Sequence, residues 1–205
     1  MKVETIEFGD DRQLTIIDDV VPMRIISDVY YVCCQLPYRI SNSSCREVQG
    51  IVDQRLKCDI EHNNPAIEHL FNENTESSKE IQKYIPKDKY CFVRSYANLG
   101  IHSDVNQIHT DNQSACKTLL YYPNKKWEMG WGGQTVFFDD RGNRKKTVEV
   151  VPGRIAIFDG RISHTVMPMN IRSSPSYRFT IAIKFELIED HKKGRSYDQQ
   201  IVREA

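Results

Sequence analysis

The sequence predicts an α+β fold that is mainly β, with N-terminal helices packed on one face of a jelly roll. Two observations lead to this prediction. Helical spacing of apolar residues is confined to roughly the first 88 of the 205 residues. From Tyr90 onward, short segments rich in Val, Ile, Phe, Tyr and Thr alternate with turns rich in Gly, Pro, Asn and Asp. Such a succession of short strands is typical of β-sandwiches and barrels.

The N-terminal part contains two predicted helices and two predicted edge strands. Short apolar runs within residues 3–21 flank an acidic turn and fit edge strands. Proline is well tolerated in a first helical turn, and apolar residues recur at helical spacing after Pro22: Met23, Ile26, Val29, Tyr30 and Cys33. A second helix is predicted from about Pro65 to Tyr84. Residues 41–46, with the sequence SNSSCR, form a predicted loop.

We expect one domain over residues 1–205, since no linker or repeat divides the chain. Its helical support would cover about residues 1–88 and its jelly-roll core about residues 89–188, followed by a polar C-terminal tail. The predicted strands of the core lie in the segments YCFVRSYANL, QIHTD, KTLLYYPN, GGQTVFFDD, TVEVVPG, RIAIFDG, HTVMPM and YRFTIAIKFEL.

Composition argues against several classes of partner. The formal net charge is zero and no basic stripe is present, so we expect no nucleic-acid partner. No run approaches the roughly 20 apolar residues of a membrane helix, and the N-terminus is too polar for a secretory signal. The six cysteines lack Cys-x-x-Cys spacing, which favours reduced thiols and a cytoplasmic location.

The segment IHSDVNQIHTD contains the pattern His-x-Asp twice, at His102/Asp104 and at His109/Asp111. On a strand, residues i and i+2 share a face, so either pair can aim an imidazole and a carboxylate at one point. Two imidazoles and one carboxylate on one face, with open positions beside them, form the ligand set of a non-haem iron(II) site. His164, which opens a later strand, is the candidate for the second imidazole. These patterns leave open which His-x-Asp pair it joins.

Alternation in the last predicted strand separates two faces of very different chemistry. One face carries Tyr177, Phe179, Ile181 and Ile183, and the other carries Arg178, Thr180, Ala182 and Lys184. An arginine inside a barrel is costly unless it meets an anion. Arg178 with Thr180 is therefore predicted to receive a carboxylate. The same alternation groups two further sets of residues on common faces: Thr118, Leu120 and Tyr122, and Arg94, Tyr96 and Asn98.

Six segments between about Tyr90 and Glu186 follow one another in a recognisable order: RSYAN, HTD, TLLYYPN, WEMGWGGQTVFF, PGRIAIFDGRISH and YRFTIAIKF. In this order they resemble the iron(II)- and 2-oxoglutarate-dependent dioxygenases, specifically the branch similar to prolyl 4-hydroxylases. The resemblance implies a double-stranded β-helix, a cupin-like jelly roll. It also selects the second pair, because the spacing from His109/Asp111 to Thr118 fits the family and His102/Asp104 lies too early.

The resemblance implies a role for each matching position. Three residues would bind iron(II): His109, Asp111 and His164. Arg178 would hold the distal carboxylate of 2-oxoglutarate, helped by Thr180. The cosubstrate pocket would be lined by Tyr96, Thr118 and Tyr122, with Thr135 on the neighbouring wall. The earlier pair, His102/Asp104, is expected in a solvated loop, with a contact to a substrate lid as the alternative.

The implied reaction couples C–H hydroxylation to decarboxylation of 2-oxoglutarate, giving succinate and carbon dioxide, with O2 as oxidant and ascorbate as reductant. The implied prime substrate is a prolyl residue of a protein or peptide. The loop Pro123–Gly133 would close over an extended peptide, with Trp127 and Trp131 as aromatic surface or as a cap on the barrel mouth. The alternatives are a hydroxylase of a small molecule and a catalytically silent binding module. Oligomeric state is left open.

Overall fold

This computed structural model describes residues 1–42, 54–102, 104, 106–112, 115–128, 130–170 and 177–192. They form two antiparallel sheets, three helices and a short helical stretch at residues 188–192. The larger sheet contains β1 (Lys2–Glu7), β2 (Gln13–Asp18), β3 (Arg39–Asn42), β4 (Gln54–Ile60), β5 (Tyr90–Gly100), β6 (Cys116–Tyr121), β9 (Ile155–Asp159) and β11 (Arg178–Leu187). The smaller sheet contains β7 (Thr135–Phe138), β8 (Arg144–Val148) and β10 (His164–Val166). The helices are α1 (Met23–Gln35), α2 (Pro65–Phe71) and α3 (Glu76–Gln82).

The order of strands places β11 inside the larger sheet, between β6 and β5. That sheet runs β1-β2-β9-β6-β11-β5-β4-β3, and the smaller one runs β10-β7-β8. All of the neighbouring pairs are antiparallel. This mainly-β arrangement of two sheets with few helices confirms the predicted fold class, a jelly roll with helices on one sheet.

The helices cover one face of the larger sheet and bury its apolar side chains. The side chains of Phe179, Ile181 and Ile183 on β11 are buried there. They belong to one cluster with residues from all three helices: Ile26, Val29, Cys33, Ile67, Leu70 and Ile81. The predicted alternation of β11 is confirmed on this side, because every second side chain of the strand faces the helices.

A second apolar cluster joins the smaller sheet to the opposite face of the larger one. Phe137 of β7 packs edge-on against Phe158 of β9, with ring centroids 4.9 Å apart. The cluster also contains Leu14 and Ile16 of β2 and Val148 of β8. This contact closes one part of the space between the sheets and leaves the part beside β5, β6 and β11 for a cavity.

The first predicted helix is confirmed as α1. It begins directly after Pro22, whose carbonyl accepts the N–H of Ile26 at 3.1 Å.

No helix in the described part of the chain is both long enough and apolar enough to span a membrane.

The second predicted helix is in fact two short helices, α2 and α3. The side chain of Asn72 accepts the N–H of Asn74 at 3.0 Å, which forms a turn that competes with helix. Thr75 then caps α3 by accepting the N–H of Ser78 at 3.2 Å. The apolar periodicity of residues 65–84 did not reveal this break, because it lies in the short polar side chains between the two helices.

Strands β3 and β4 were not predicted, and they extend the larger sheet beyond β5. The predicted loop at residues 41–46 therefore begins within β3, and its residues after 42 lie outside the described residues. Together with β1 and β2, these strands show that the sheet is not confined to residues 89–188. Polar sequences such as these depend on a partner strand, which local patterns do not reveal.

Candidate functional site

His109, Asp111 and His164 lie together at one end of a cavity. Their nearest ligand atoms all lie within 4.8 Å of one another. Backbone bonds hold the three residues in place: His109 and His164 exchange N–H···O=C bonds of 3.0 and 2.9 Å, and the N–H of Asp111 donates to the carbonyl of Gly160 at 2.8 Å. The segment QIHTD was predicted as a strand, but within it only His109 forms a bridge of this kind.

Both imidazoles are oriented by the carbonyl two residues before them. Nδ1 of His109 lies 3.0 Å from the carbonyl oxygen of Gln107, and Nδ1 of His164 lies 3.0 Å from that of Ile162. A carbonyl only accepts, so each Nδ1 carries a proton, and in the neutral ring Nε2 then presents a lone pair. Such partners are the usual means of fixing a metal-binding histidine.

The carboxylate of Asp111 has two distinct sides. Its Oδ1 lies 3.9 Å from Nε2 of His109 and 3.8 Å from Nε2 of His164. Its Oδ2 accepts a hydrogen bond of 2.6 Å from Oγ1 of Thr118 and pairs with Nζ of Lys184. Lys184 also donates to Oγ1 of Thr118 at 3.0 Å. One oxygen therefore faces the imidazoles while the other is held by the protein.

Burial and neighbouring charges keep this cluster in a state suited to binding a cation. Burial alone would raise the pKa of Asp111, but the charge of Lys184, the neighbouring His164 and the hydrogen bonds from Lys184 and Thr118 hold it well below its usual range. Burial lowers the pKa of His164 to about 4. At neutral pH the cluster thus offers the carboxylate of Asp111 and the neutral imidazole of His164.

Arg178 lies buried at the other end of the same cavity, with only 4% of its surface exposed. Its guanidinium donates to Oγ1 of Thr135 at 3.1 Å and to Oγ1 of Thr180 at 3.3 Å. The hydroxyl of Tyr122 lies 2.8 Å from Oγ1 of Thr135. Gly133 makes room for this group, because a Cβ at that position would lie 2.9 Å from Cδ of Arg178. The arginine side chain is therefore preorganised by neutral hydroxyls.

The cavity between these two ends is lined by polar and apolar side chains. Four alternating residues of β11 supply one wall: Arg178, Thr180, Ala182 and Lys184. Tyr96 and Asn98 of β5 supply another. Apolar residues surround the remainder: Leu56, Leu99, Ile101, Leu120, Val166, Met167, Pro168 and Met169. A di-anion bound here would meet a guanidinium at one end and a cation site at the other.

Comparison with known proteins identifies this arrangement. Residues 90–185 match the model of the 2OG-Fe(II) oxygenase superfamily. Residues 90–185 belong to this superfamily. The prediction that the chain is a 2-oxoglutarate-dependent dioxygenase is thereby confirmed, and the superfamily implies iron(II), 2-oxoglutarate and O2. No curated protein matches the chain.

Several solved structures share the fold of this dioxygenase at low sequence identity. A prolyl 4-hydroxylase from Pseudomonas putida has a TM-score of 0.64 and 15% identity, with 84% of this chain and 91% of that chain covered. A prolyl hydroxylase from Trichoplax adhaerens, in complex with a peptide fragment of hypoxia inducible factor, has a TM-score of 0.60 and 17% identity, with 84% and 82% covered. A carbocyclase from nogalamycin biosynthesis has a TM-score of 0.60 and 12% identity, with 87% and 81% covered.

The predicted cosubstrate residues of the dioxygenase fall into two groups. Tyr96, Thr180 and Arg178 line the cavity, as does Thr135 on the neighbouring wall. Thr118 and Tyr122 are buried behind its surface instead: Thr118 contacts the carboxylate of Asp111, and Tyr122 contacts Thr135. The sequence predicted which face of the strand these two side chains lie on. How deeply they are buried in the cavity wall depends on the neighbouring strands.

The earlier His-x-Asp pair is split in the dioxygenase. His102 is exposed, as expected for a solvated loop. Asp104 is half-buried, lines the cavity, and accepts the N–H of Ile101 at 2.9 Å through Oδ2. The expectation of a solvated loop is thus wrong for Asp104, because the short turn after β5 folds its carboxylate back toward the cavity.

The two tryptophans of the loop Pro123–Gly133 lie outside the cavity lining. Trp127 and Trp131 contact each other edge-on, with centroids 5.3 Å apart. Nε1 of Trp127 donates to the carbonyl of Gly132 at 3.0 Å, and its ring packs on the cluster between the sheets. The ring of Trp127 therefore braces the loop that carries Gly133, which in turn faces Arg178.

Lys184 is the residue of this site to which the sequence assigned no role. It shares the inward face of β11 with Arg178, and the same cost of burying a charge applies to it. Because burying the charge of Lys184 is costly, its position in the sequence could have predicted an anion beside it. The identity of the anion, Asp111, depends on β6 and the segment before it lying next to β11.

Proposed function

We propose that this chain is an iron(II)- and 2-oxoglutarate-dependent prolyl hydroxylase that acts on a protein or peptide, as a single domain over residues 1–205. One observation carries the proposal. Two imidazoles and a carboxylate lie together at one end of a cavity, and a buried arginine lies at the other end. This arrangement is the one needed to hold a metal and a dicarboxylate together.

His109, Asp111 and His164 are the proposed iron ligands. The donor set fits, because two neutral imidazoles and one carboxylate with open positions beside them are typical of non-haem iron(II) oxygenases. Nε2 of each imidazole and Oδ1 of the carboxylate face one another. When bound, the metal supplies the activation of oxygen that couples decarboxylation of 2-oxoglutarate, to succinate and carbon dioxide, with hydroxylation of a C–H bond.

Arg178 is the proposed receptor for the distal carboxylate of 2-oxoglutarate. Guanidinium groups bind carboxylates through paired, charge-assisted hydrogen bonds. Thr135 and Thr180 already hold the guanidinium in place, so little side-chain freedom is lost when the cosubstrate binds. Tyr122 supports Thr135 from behind. Tyr96 forms the wall of the pocket on the side of β5.

A prolyl side chain is proposed as the prime substrate for two reasons. The cavity has apolar walls, which include Ile101, Val166 and Pro168, and these suit an uncharged ring. The solved structures that share the fold also include prolyl hydroxylases, one of them in complex with a peptide. A small-molecule substrate is the second candidate, supported by the shared fold of the carbocyclase from nogalamycin biosynthesis.

A cytoplasmic location is part of the proposal because the five cysteines of the described residues are all free.

The test is the formation of succinate from 2-oxoglutarate by purified protein with iron(II) and ascorbate. It is run with and without proline-containing peptides, and the peptide is examined by mass spectrometry for a gain of one oxygen. We expect succinate formation to rise with a peptide that becomes hydroxylated. Arg178→Ala should raise the KM for 2-oxoglutarate about 10- to 100-fold, since hydrogen bonds between charged groups contribute about 1.5–3 kcal/mol.

Three other outcomes would redirect the proposal. Succinate formation that no peptide stimulates would favour a small-molecule substrate. Absence of succinate with metal and cosubstrate both bound would favour a silent binding module. An unchanged KM in Arg178→Ala would remove Arg178 from the cosubstrate pocket, and Arg144→Ala serves as the control for loss of an exposed arginine.

A further inference from the structure

Lys184 lies in the cavity wall, largely shielded from solvent, and its ammonium group has two partners. The side chain is 12% exposed and that of Asp111 is 7% exposed. Nζ pairs with Oδ2 of Asp111 and donates to Oγ1 of Thr118 at 3.0 Å. Thr118 in turn donates to the same Oδ2 at 2.6 Å. These three side chains form a closed triangle on one side of the carboxylate.

The triangle divides the carboxylate of Asp111 into two functional halves. Two donors converge on Oδ2, while the Nε2 atoms of His109 and His164 lie 3.9 and 3.8 Å from Oδ1. A carboxylate is free to bind a metal through one oxygen or through both. With Oδ2 occupied by two donors, only Oδ1 is available to a metal between the histidines.

We propose that Lys184 is a positioning residue that, together with Thr118, makes Asp111 a one-oxygen ligand. This inference rests on the proposed function. Its consequence concerns the positions open on the metal. Three protein ligand atoms would leave three positions of an octahedral metal open, whereas a carboxylate bound through both oxygens would leave two. A cosubstrate that binds through two atoms, together with O2, needs all three.

A simpler role for Lys184 is to neutralise a buried carboxylate by its charge alone. Breaking a buried ion pair leaves one charge uncompensated, so either role would make Lys184 important. The two roles differ in what Thr118 does. Neutralisation requires no hydroxyl at that position, whereas positioning requires both donors. Replacing Thr118 by valine removes the hydroxyl but keeps the shape of the side chain, and it leaves the charge of Lys184 in place. The variant therefore separates the two roles.

The test uses cobalt(II) as the metal probe in the full-length protein, because its visible absorption reports coordination number. The variants are Lys184→Met and Thr118→Val, with Lys117→Met as control, a half-buried lysine whose position on β6 faces away from Thr118. Binding of 2-oxoglutarate to the cobalt-loaded proteins is measured by calorimetry. We expect the spectrum of both site variants to change and their affinity for 2-oxoglutarate to fall, by about 10- to 100-fold in Lys184→Met and less in Thr118→Val. The control should match the wild type.

Each result decides the inference. Wild-type spectra and affinities in both variants would overturn it. A change in Lys184→Met with none in Thr118→Val would assign Lys184 to neutralisation alone and also overturn it. If Lys184→Met fails to fold, as judged by thermal unfolding, Thr118→Val alone still decides. Failure of the proposed function has a different signature, since wild-type protein would then not bind cobalt and 2-oxoglutarate together.

Discussion

The two faces of strand β11 differ sharply in chemistry although they lie on one strand. Toward the helices the strand presents Phe179, Ile181 and Ile183, which lie in an apolar cluster. Toward the cavity it presents charged side chains, Arg178 and Lys184, separated by small residues. Neighbouring residues of one strand thus serve stability on one side and chemistry on the other. Changes on the two faces should therefore have separable effects.

The largest effect is expected on the cavity face, from His109→Ala. Loss of one of the three proposed ligands should abolish iron(II) binding. The rate of succinate formation should fall to background, a decrease of more than about a hundredfold. The free energy of unfolding of the metal-free protein should change little. The matched control is His102→Ala, which removes the exposed histidine of the other His-x-Asp pair. Equal losses in the two variants would contradict the assignment of the ligands.

The corresponding change on the helix face is Ile181→Ala, which creates a cavity in a fully buried position. Such truncations typically lower the free energy of unfolding by about 2–5 kcal/mol. The KM for 2-oxoglutarate should stay within twofold of the wild type at temperatures where the variant is folded. Urea denaturation and initial rates measure the two quantities. A large increase in KM with little loss of stability would show that the two faces are coupled.

A pH effect is also expected on the helix face, where the ring nitrogens of His69 in α2 are shielded from solvent. The imidazole packs beside the ring of Tyr121, with ring centroids 5.2 Å apart. Burial lowers the pKa of His69 to about 4. The unfolded chain binds this proton below a pH of about 6.5, so the stability that His69 confers is complete above that pH and is lost as the pH falls toward 4.

Replacement by phenylalanine should remove this contribution. The difference in unfolding free energy between wild type and His69→Phe should shift by about 3 kcal/mol between pH 7 and pH 4, in favour of the variant at low pH. Chemical denaturation at several pH values measures it. A difference that is independent of pH would show that His69 titrates normally in the folded protein.

The smallest effect is expected from Tyr122→Phe, behind the cavity wall. The variant loses the tyrosine hydroxyl, which contacts Thr135 and also interacts with Arg178. The net contribution of such a hydrogen bond is about 1 kcal/mol. The KM for 2-oxoglutarate should rise about fivefold with kcat nearly unchanged. Tyr121→Phe is the matched control, since its hydroxyl lies in the helix-facing core. A larger rise in KM in the control would contradict a supporting role for Tyr122.

Most of the strands and the parity of β11 were predictable because alternation is a local property of the chain. The apolar and polar faces of Phe179 to Lys184 followed from their order alone. The break between α2 and α3 was missed, because the side chain of Asn72 competes with helix without disturbing the apolar spacing. Strands β3 and β4 were missed because β4 pairs with the distant strand β5, and β3 pairs only with β4.

The sequence by itself determined the residue types of the site, the inward face of β11 and, through its resemblance to a family, the choice of His109 over His102. Only the tertiary structure decided the depth and the partners of those residues. It brought Asp111 to Lys184, moved Thr118 and Tyr122 behind the cavity wall, and turned Asp104 inward. The physical reason is that alternation fixes the direction of a side chain relative to its own strand. The distance between side chains of different strands depends on register and sheet packing, which no local pattern contains.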